Sequence, residues 1–426
     1  MERRSERSCC ETLDKVSAIQ QNMPSVLNLK QPLYHIAALM AATVACGGGP
    51  PSFVERHEYL IFETLPPVHV RLLVAPELVD RSDRYMAAAR AALGRFGEWY
   101  GPYPHDELTL VDPGWRDVAP MPGAVVLRTR WLSFERSAAV ESLVIDAVAR
   151  RFWQLRRPST NRDHTEFING LSAFSSARAV AELLPDTEFQ EHRYFGGFVP
   201  YVVRSFPNAS GEKPSATRFA LTSGNRSALA FATLERYIGW GPLQAALWEF
   251  AQLRRINHAE PPEFFKILRD STSHDLDWFV DEVVATSKVF DYGIAWFDSK
   301  PSAAGARYET VVVIRRFGDG VFSGGTRPRE GSYQSGRGIE LRVSFESGDE
   351  IQEHWDGRDD EARYEYESTS PAVAATVDPE GILKLDTNRA NNHRSLRSAG
   401  IETAAMSAVG RSIWLQNLLL TYGFFF

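Results

Sequence analysis

From residue 57 the apolar positions fall into short β-rich runs, YLIF and then VHVRLLV at 68–74. After Asp80 and Ser82 the period lengthens, and Tyr85, Ala89, Ala92, Leu93, Phe96 and Tyr100 share one helical face. The segment Gly101-Pro102-Tyr103-Pro104 stops that helix, because proline cannot continue the hydrogen-bond ladder. Two further strands come next, ELTLVDP at 107–113 and AVVLRTR at 124–130, with a Pro/Gly-rich loop between them. Residues 137 to about 290 read as mostly helical. This stretch opens with SAAVESLVIDAVARRFWQLRR, in which Val140, Val144, Val148 and Phe152 recur four apart, and Gly and Pro punctuate the later helices. Those helices are predicted in GLSAFSSARAVAELL from 170, SALAFATLERYIG from 227, PLQAALWEFAQL from 242 and DLDWFVDEVVA from 275. After Lys300 the period becomes two, in ETVVVIRR from 309, in IELRVSF with Ile339, Leu341, Val343 and Phe345 on one face, and in ARYEYES and GILKLDT. These runs predict a small antiparallel β-domain, and the glycine-rich stretch Gly318–Gly338, which holds no ordered GxGxxG, reads as a long hairpin loop.

Composition adds limits. A chain of 426 residues, 44% hydrophobic and 24% charged, can bury a large core and divide into two or three domains. The net charge of -7 and the lack of a basic stripe argue against a nucleic-acid partner. Cys9, Cys10 and Cys46 all precede the first structured run, so neither a disulfide framework nor a cysteine metal site is available to the core. The run HIAALMAATVAC at 35–46 is too short to span a bilayer. Read from Met23, it has the form of an export signal, with Cys46 as a candidate lipoprotein acceptor, which would place the protein on the periplasmic side of the cell envelope; without that role for the leader the location is cytoplasmic. The last segment, SIWLQNLLLTYGFFF, is also too short to span; docking on the protein is the expected fate, and peripheral membrane association is the alternative.

Several pieces in order resemble the membrane-alanyl-aminopeptidase family of gluzincin zinc peptidases. GEWYGPYPHDELTLVDP at 97–113 is similar to the family's helix, turn and strand leading to the active site, and PMPGAVVL at 120–127 to its substrate-amine loop. VIDAVARRFW at 144–153 stands where the family carries HExxHQ, FINGLSAF at 167–174 where it carries LNEGFA, and DLDWFVDEVVATSKVFDYGI from 275 resembles the ending that precedes its β-sandwich. The resemblance covers about residues 57–390 and leaves no room for the family's large N-terminal β-domain. It implies an α+β fold: a thermolysin-like, mostly helical domain with a small strand-rich N-terminal part, then an antiparallel β-sandwich. The expected divisions are a leader at 1–56, the aminopeptidase-like domain at 57–300, the sandwich at 303–392 and an apolar C-terminal helix at 393–426.

In active relatives two histidines four apart and a glutamate from the next helix hold zinc, and the motif glutamate takes a proton from the metal-bound water. Carried over residue by residue, the first histidine falls on Asp146, the base on Ala147, the second histidine on Arg150 and the distal glutamate on Asn169. Ala147 cannot accept a proton, and Arg150 puts a permanent positive charge where a dication would sit. The family's transition-state tyrosine falls on Leu221, and the amine loop is shortened to Met121, Pro122 and Gly123 without its glutamate. The resemblance therefore implies a retired site with no catalytic residue and no zinc cofactor, in which Asp146 pairs with Arg150 or Asn169. The implied role is binding of a peptide or protein in the former cleft, or scaffolding. Two alternatives stay open: an active zinc aminopeptidase with a rebuilt site at Asp146, His164 and Glu166, and an envelope-associated structural protein. Asp163, His164 and Glu166 read otherwise as a helix-start cap with surface charges. Ser172 in GLSAF reads as a helix residue, and Asp356, Asp359, Asp360 and Glu361 as a solvated loop.

Overall fold

A computed structural model of the chain describes residues 53–114, 118, 121, 123–127, 139–154, 161–185, 224–257, 259–286, 288–302, 305, 307–324 and 338–396. It is an α+β structure in three parts. A four-stranded sheet comes first, in the order β1 (Val54–Leu60), β2 (Val68–Val74), β3 (Glu107–Asp112), β4 (Ala124–Val126). β1 pairs antiparallel to β2, whereas β2, β3 and β4 run parallel. The parallel step from β2 to β3 requires a crossover, supplied by α1 (Ser82–Tyr100), whose inner face carries all six residues of the predicted stripe. Gly101 ends α1 at φ 92, a left-handed value that costs glycine little.

The helical body comes second: α2 (Ala139–Trp153), α3 (Arg162–Leu183), α4 (Gly224–Ile238), α5 (Trp240–Asn257) and α6 (Pro261–Ser271). Helix α3 starts eight residues before the predicted Gly170, and α6, with Pro at its start and a Glu260/Glu263 capping box, is additional to the predicted helices. The helices α3 and α4 cross closely at Gly170, where a Cβ would lie 2.1 Å from the Cβ of Ser227. The predicted helix from 275 becomes a π-helical segment, Phe279–Val284. Its wide turn shows in the bond from the Ala285 amide to the Val280 carbonyl, and buried Arg226 of α4 donates to the Val283 carbonyl at 2.6 Å.

The third part is a β-sandwich of two antiparallel sheets. One holds β5 (Tyr292–Pro301), β6 (Tyr308–Arg316) and β9 (Glu361–Ser368); the other runs β11 (His393–Ser395), β10 (Ala372–Val377), β7 (Ile339–Phe345), β8 (Glu350–Trp355). The predicted inner face of β7 is buried as expected, Ile339 through Phe345 at alternate positions. Three boundaries move. β1 begins at Val54, inside the expected leader, because its pairing with β2 starts there. β5 belongs to the sandwich, which therefore begins at Tyr292 and not at 303. β11 pairs with β10, so 393–395 is strand and not the start of a helix; residues 397–426 of the expected C-terminal helix lie outside the described residues, as does the leader to residue 52. GILKLDT forms turns instead of a strand, tied by Asp378, whose carboxylate accepts the amides of Ile382 and Leu383. The stretch from Gly318 to Gly338 is not a hairpin either: β6 and β7 lie in different sheets, and it carries the chain from one to the other.

Apolar residues of all three parts form one continuous core. The sandwich is seated on the helical body through Phe322, which packs against Trp278 at 4.6 Å and Tyr237 at 5.8 Å between ring centroids. Beneath that seat, Asp386 accepts the Asn388 amide at 2.9 Å, the Asn392 side-chain amide at 3.1 Å and the Tyr292 amide at 3.4 Å. Its burial pushes its carboxyl up to about 7, against the three hydrogen bonds, which favour the anion.

Gly170→Ala forces the α3–α4 crossing apart and should cost roughly 1 to 3 kcal/mol in chemical denaturation. Asp386 titrates near 7 folded and near 4 unfolded, so the folded form alone keeps its proton between those values; the stability it contributes is full below about pH 4 and is lost as pH rises to 7. The unfolding free energy from urea titrations should therefore rise on going from about pH 8 to pH 5, by roughly 2 to 3 kcal/mol from this group, and Asp386→Asn should flatten that slope.

Candidate functional site

Helix α2 is the element on which the resemblance places the reactive residues. Val140, Val144, Ile145, Ala147, Val148, Ala149, Phe152 and Trp153 are all buried, so the helix is covered on nearly every side rather than on one stripe. Among its described side chains only Arg150 is exposed. The C-terminus of α2 is held by buried Arg254 of α5, which donates to the carbonyls of Trp153 at 3.2 Å and Ala259 at 3.0 Å. Burial pulls that guanidinium down to about 10, which leaves it charged at neutral pH and suited to the negative end of the helix. Within the core, Ser175 of α3 accepts the indole N–H of Trp153 at 3.0 Å and lies 3.1 Å from the Tyr100 hydroxyl, linking α1, α2 and α3.

At the exposed edge of α2, Arg150 and Asp146 form an ion pair of 2.9 Å, with side chains 45% and 22% exposed. One of the contacts expected from the sequence is thus made, within one helix and one turn apart. Ala147 is wholly buried and offers no proton acceptor, while Asn169 stands exposed on α3. His164, in the first turn of α3, has Nδ1 3.1 Å from a Glu260 carboxylate oxygen and Nε2 3.3 Å from the Asn161 side-chain amide. Among the described residues no three or more His, Cys, Asp or Glu stand close enough to hold a metal ion, so Asp146, His164 and Glu166 are not brought together as a rebuilt site. A zinc ion does not fit the residues at these positions: one carboxylate is already paired with a guanidinium, and the remaining positions carry alanine, arginine and asparagine.

The segment that the resemblance matches to the amine loop reaches α2. Met121 and Ala124 close a turn through a 3.1 Å backbone bond, and Gly123 at φ 80 lies beside Arg151, whose NH2 would be 3.7 Å from a Cβ there. Arg151 also acts on the Tyr103 phenol of the GPYP turn, which burial pushes up, and its carbonyl meets His105 Nε2 at 2.8 Å. Pro122 and Leu221 lie outside the described residues. Trp99 and Tyr100 are buried and Tyr103 packs on Phe152 at 6.3 Å, so the aromatic cluster fills the domain. Ser172 is buried and donates to the Ile168 carbonyl at 2.7 Å, as a helix residue does. Asp356, Asp359, Asp360 and Glu361 are exposed, three of them facing Arg358, Arg316 and Arg315. Sequence reasoning passes over Arg254 and Ser175, which position α2; a buried arginine or serine has no periodic signature to mark it.

A helical body behind a short mixed sheet and before an antiparallel sandwich is an aminopeptidase-like fold. No family model matches the chain, and no curated protein matches it. Among solved structures, the crystal structure of Legionella pneumophila aminopeptidase A in complex with aspartic acid matches with a TM-score of 0.50 and 14% identity, over 78% of this chain and 38% of that one. The likeness is one of fold, and this chain spans well under half of the other's length.

The two polar features of α2 should respond differently to truncation. Arg150→Ala removes a half-exposed ion pair and should change stability by no more than about 0.5 kcal/mol. Ser175→Ala leaves the buried Trp153 N–H without its acceptor and should cost roughly 1 to 3 kcal/mol in the same denaturation assay.

Proposed function

We propose that the chain is a catalytically inactive aminopeptidase-like protein that binds a peptide or protein in the region between the helical body and the sandwich, or scaffolds through it. The observation that carries this reading is the Asp146–Arg150 ion pair beside buried Ala147, in the places where the resemblance puts two zinc-binding histidines and the general base. An arginine held against its own helix's carboxylate opposes a dication there, and alanine supplies no base to activate water. The shortened loop at Met121 and Gly123 adds that the glutamate which grips a free amino terminus in relatives has no counterpart in the matching segment. Peptide or protein is favoured as ligand by analogy alone, because the family that the chain resembles consists of peptidases. Nucleic acid is disfavoured by the net charge of -7. Membrane association would depend on the leader or the last segment; among the described residues no helix is long and apolar enough to cross a membrane.

The test is metal content by plasma mass spectrometry on protein purified without chelator or affinity metal, with aminoacyl fluorogenic substrates assayed in parallel. Zinc below about a tenth of an equivalent and no chelator-sensitive turnover is the expected result. Near-stoichiometric zinc with chelator-sensitive cleavage would overturn the reading.

A further inference from the structure

The outer face of the first sheet carries a row of polar groups that the peptidase-like features do not use. Val70, Leu72, Leu108 and Leu110 turn into the core, so strand alternation puts Glu55, His57 and Tyr59 of β1, His69 of β2 and Glu107 of β3 on the opposite face. Pairing across the strands sets Tyr59 opposite His69 and His69 opposite Glu107, with His57 one step along the diagonal. The side chains form one line of contacts. A Glu55 carboxylate oxygen lies 3.0 Å from His57 Nε2, His57 Nδ1 lies 3.2 Å from His69 Nε2, and His69 Nδ1 lies 2.8 Å from a Glu107 oxygen. Tyr59 stacks on His69 at 4.7 Å between ring centroids, and the two imidazoles are nearly parallel, at 11°. Arg71 and then His57 hold the Glu55 carboxyl below the usual range, and Thr109 and then His69 do the same for Glu107, so both serve as ionised acceptors.

Protons decide what stands between the rings. A neutral imidazole carries one N–H, so two neutral histidines bring two protons to three close contacts. However they are placed, one contact sets a lone pair against another lone pair or a carboxylate, and a further positive charge is needed to close it. Metal-binding histidines donate their second N–H to a carboxylate. With both N–H groups donated in that way to Glu55 and Glu107, the open contact is the one between Nδ1 and Nε2. Its width of 3.2 Å is close to the roughly 3.3 Å that separates two nitrogens bound at about 2.0–2.1 Å to one tetrahedral ion.

We propose that His57 Nδ1 and His69 Nε2 bind one divalent late-transition-metal ion, of the zinc, nickel or copper class, on the outer face of the first sheet. Glu55 and Glu107 fix the tautomers of the two rings, and water completes the coordination. Imidazole nitrogen selects those ions over magnesium or calcium. The side chains of His57 and His69 are 51% and 21% exposed, which leaves the ion a path from solvent. Arg71 also faces the row, but it is paired with Glu55, and the two carboxylates outweigh its charge. The site shares no residue with the α2 positions and does not depend on the peptide-binding reading.

Calorimetric titration of the full chain, stripped with chelator and dialysed, with zinc chloride, nickel chloride and magnesium chloride in separate runs tests it. One saturable equivalent of zinc or nickel is expected, and no magnesium binding. His57→Gln and His69→Gln should each abolish that uptake, and Glu107→Gln should weaken it about tenfold or more by releasing the His69 ring. His57 is exposed on the edge strand, so its variant decides the matter if His69→Gln fails to fold. Two histidines with no base beside them take up zinc without hydrolysing anything. Uptake here therefore comes with no chelator-sensitive cleavage, which keeps it distinct from the outcome that would overturn the inactive-peptidase reading. No saturable zinc or nickel binding, equal binding of magnesium, or unchanged affinity in folded His57→Gln overturns the proposal.

Discussion

Helix α2 must be apolar on almost every side, because α1, α3 and the first sheet close around it and leave one edge to solvent. That constraint orders much of the body. Aromatic residues of α1 and α2 interlock, with Tyr100 and Trp153 at 5.0 Å between ring centroids, and Ser175 sets a polar group among them that satisfies the indole N–H. Arg254 closes the end of the helix, where carbonyls would otherwise be buried without donors. The part left to solvent is the single edge carrying Asp146 and Arg150. A pair of charges one turn apart is a low-cost way to keep such an edge soluble, since neither group loses all its water.

The sandwich is joined to this body by aromatic packing and by polar groups that address backbone. Phe322 enters between Tyr237 and Trp278 from the segment that passes between the two sheets. Arg226 reaches from α4 to the π-helical turn, and Glu282 of that turn pairs with Lys288 at 2.8 Å and accepts the Val321 amide at 3.0 Å. Asp386, buried and raised, lies under the same junction. The helical body and the sandwich thus meet through one junction of packed rings and backbone-directed polar groups.

The candidate site is readable in the sequence in one respect and closed in another. The identities at 146, 147, 150 and 169 state which chemical groups occupy those places, and arginine and alanine cannot perform what histidine and glutamate do. Their spacing also foretells the Asp146–Arg150 contact, since i and i+4 share a helix face. The pairing of His164 with Glu260 is not legible, because the partners are distant in sequence and meet only when α6 packs beside α3. The turns at 381–387 are hidden for a similar reason: GILKLDT alternates like a strand, and only the Asp378 turn shows that it is not one.

Periodicity by itself determined the inner face of α1, the helical body and the buried stripe of β7, because each rests on local geometry of 3.6 or two residues per repeat. It could not assign strands to sheets. Whether β6 and β7 form a hairpin or belong to opposite sheets depends on which apolar faces meet across the core, and β5, β8 and β10 escape detection because their sequences lack a regular alternation of large apolar and polar residues. Tertiary structure likewise decided that α2 is buried nearly all round, that α3 and α4 touch at Gly170, and that Phe322 of the sandwich segment packs between Tyr237 and Trp278 of the body. These are contacts between residues far apart along the chain, and their energies exist only once the chain has closed on itself.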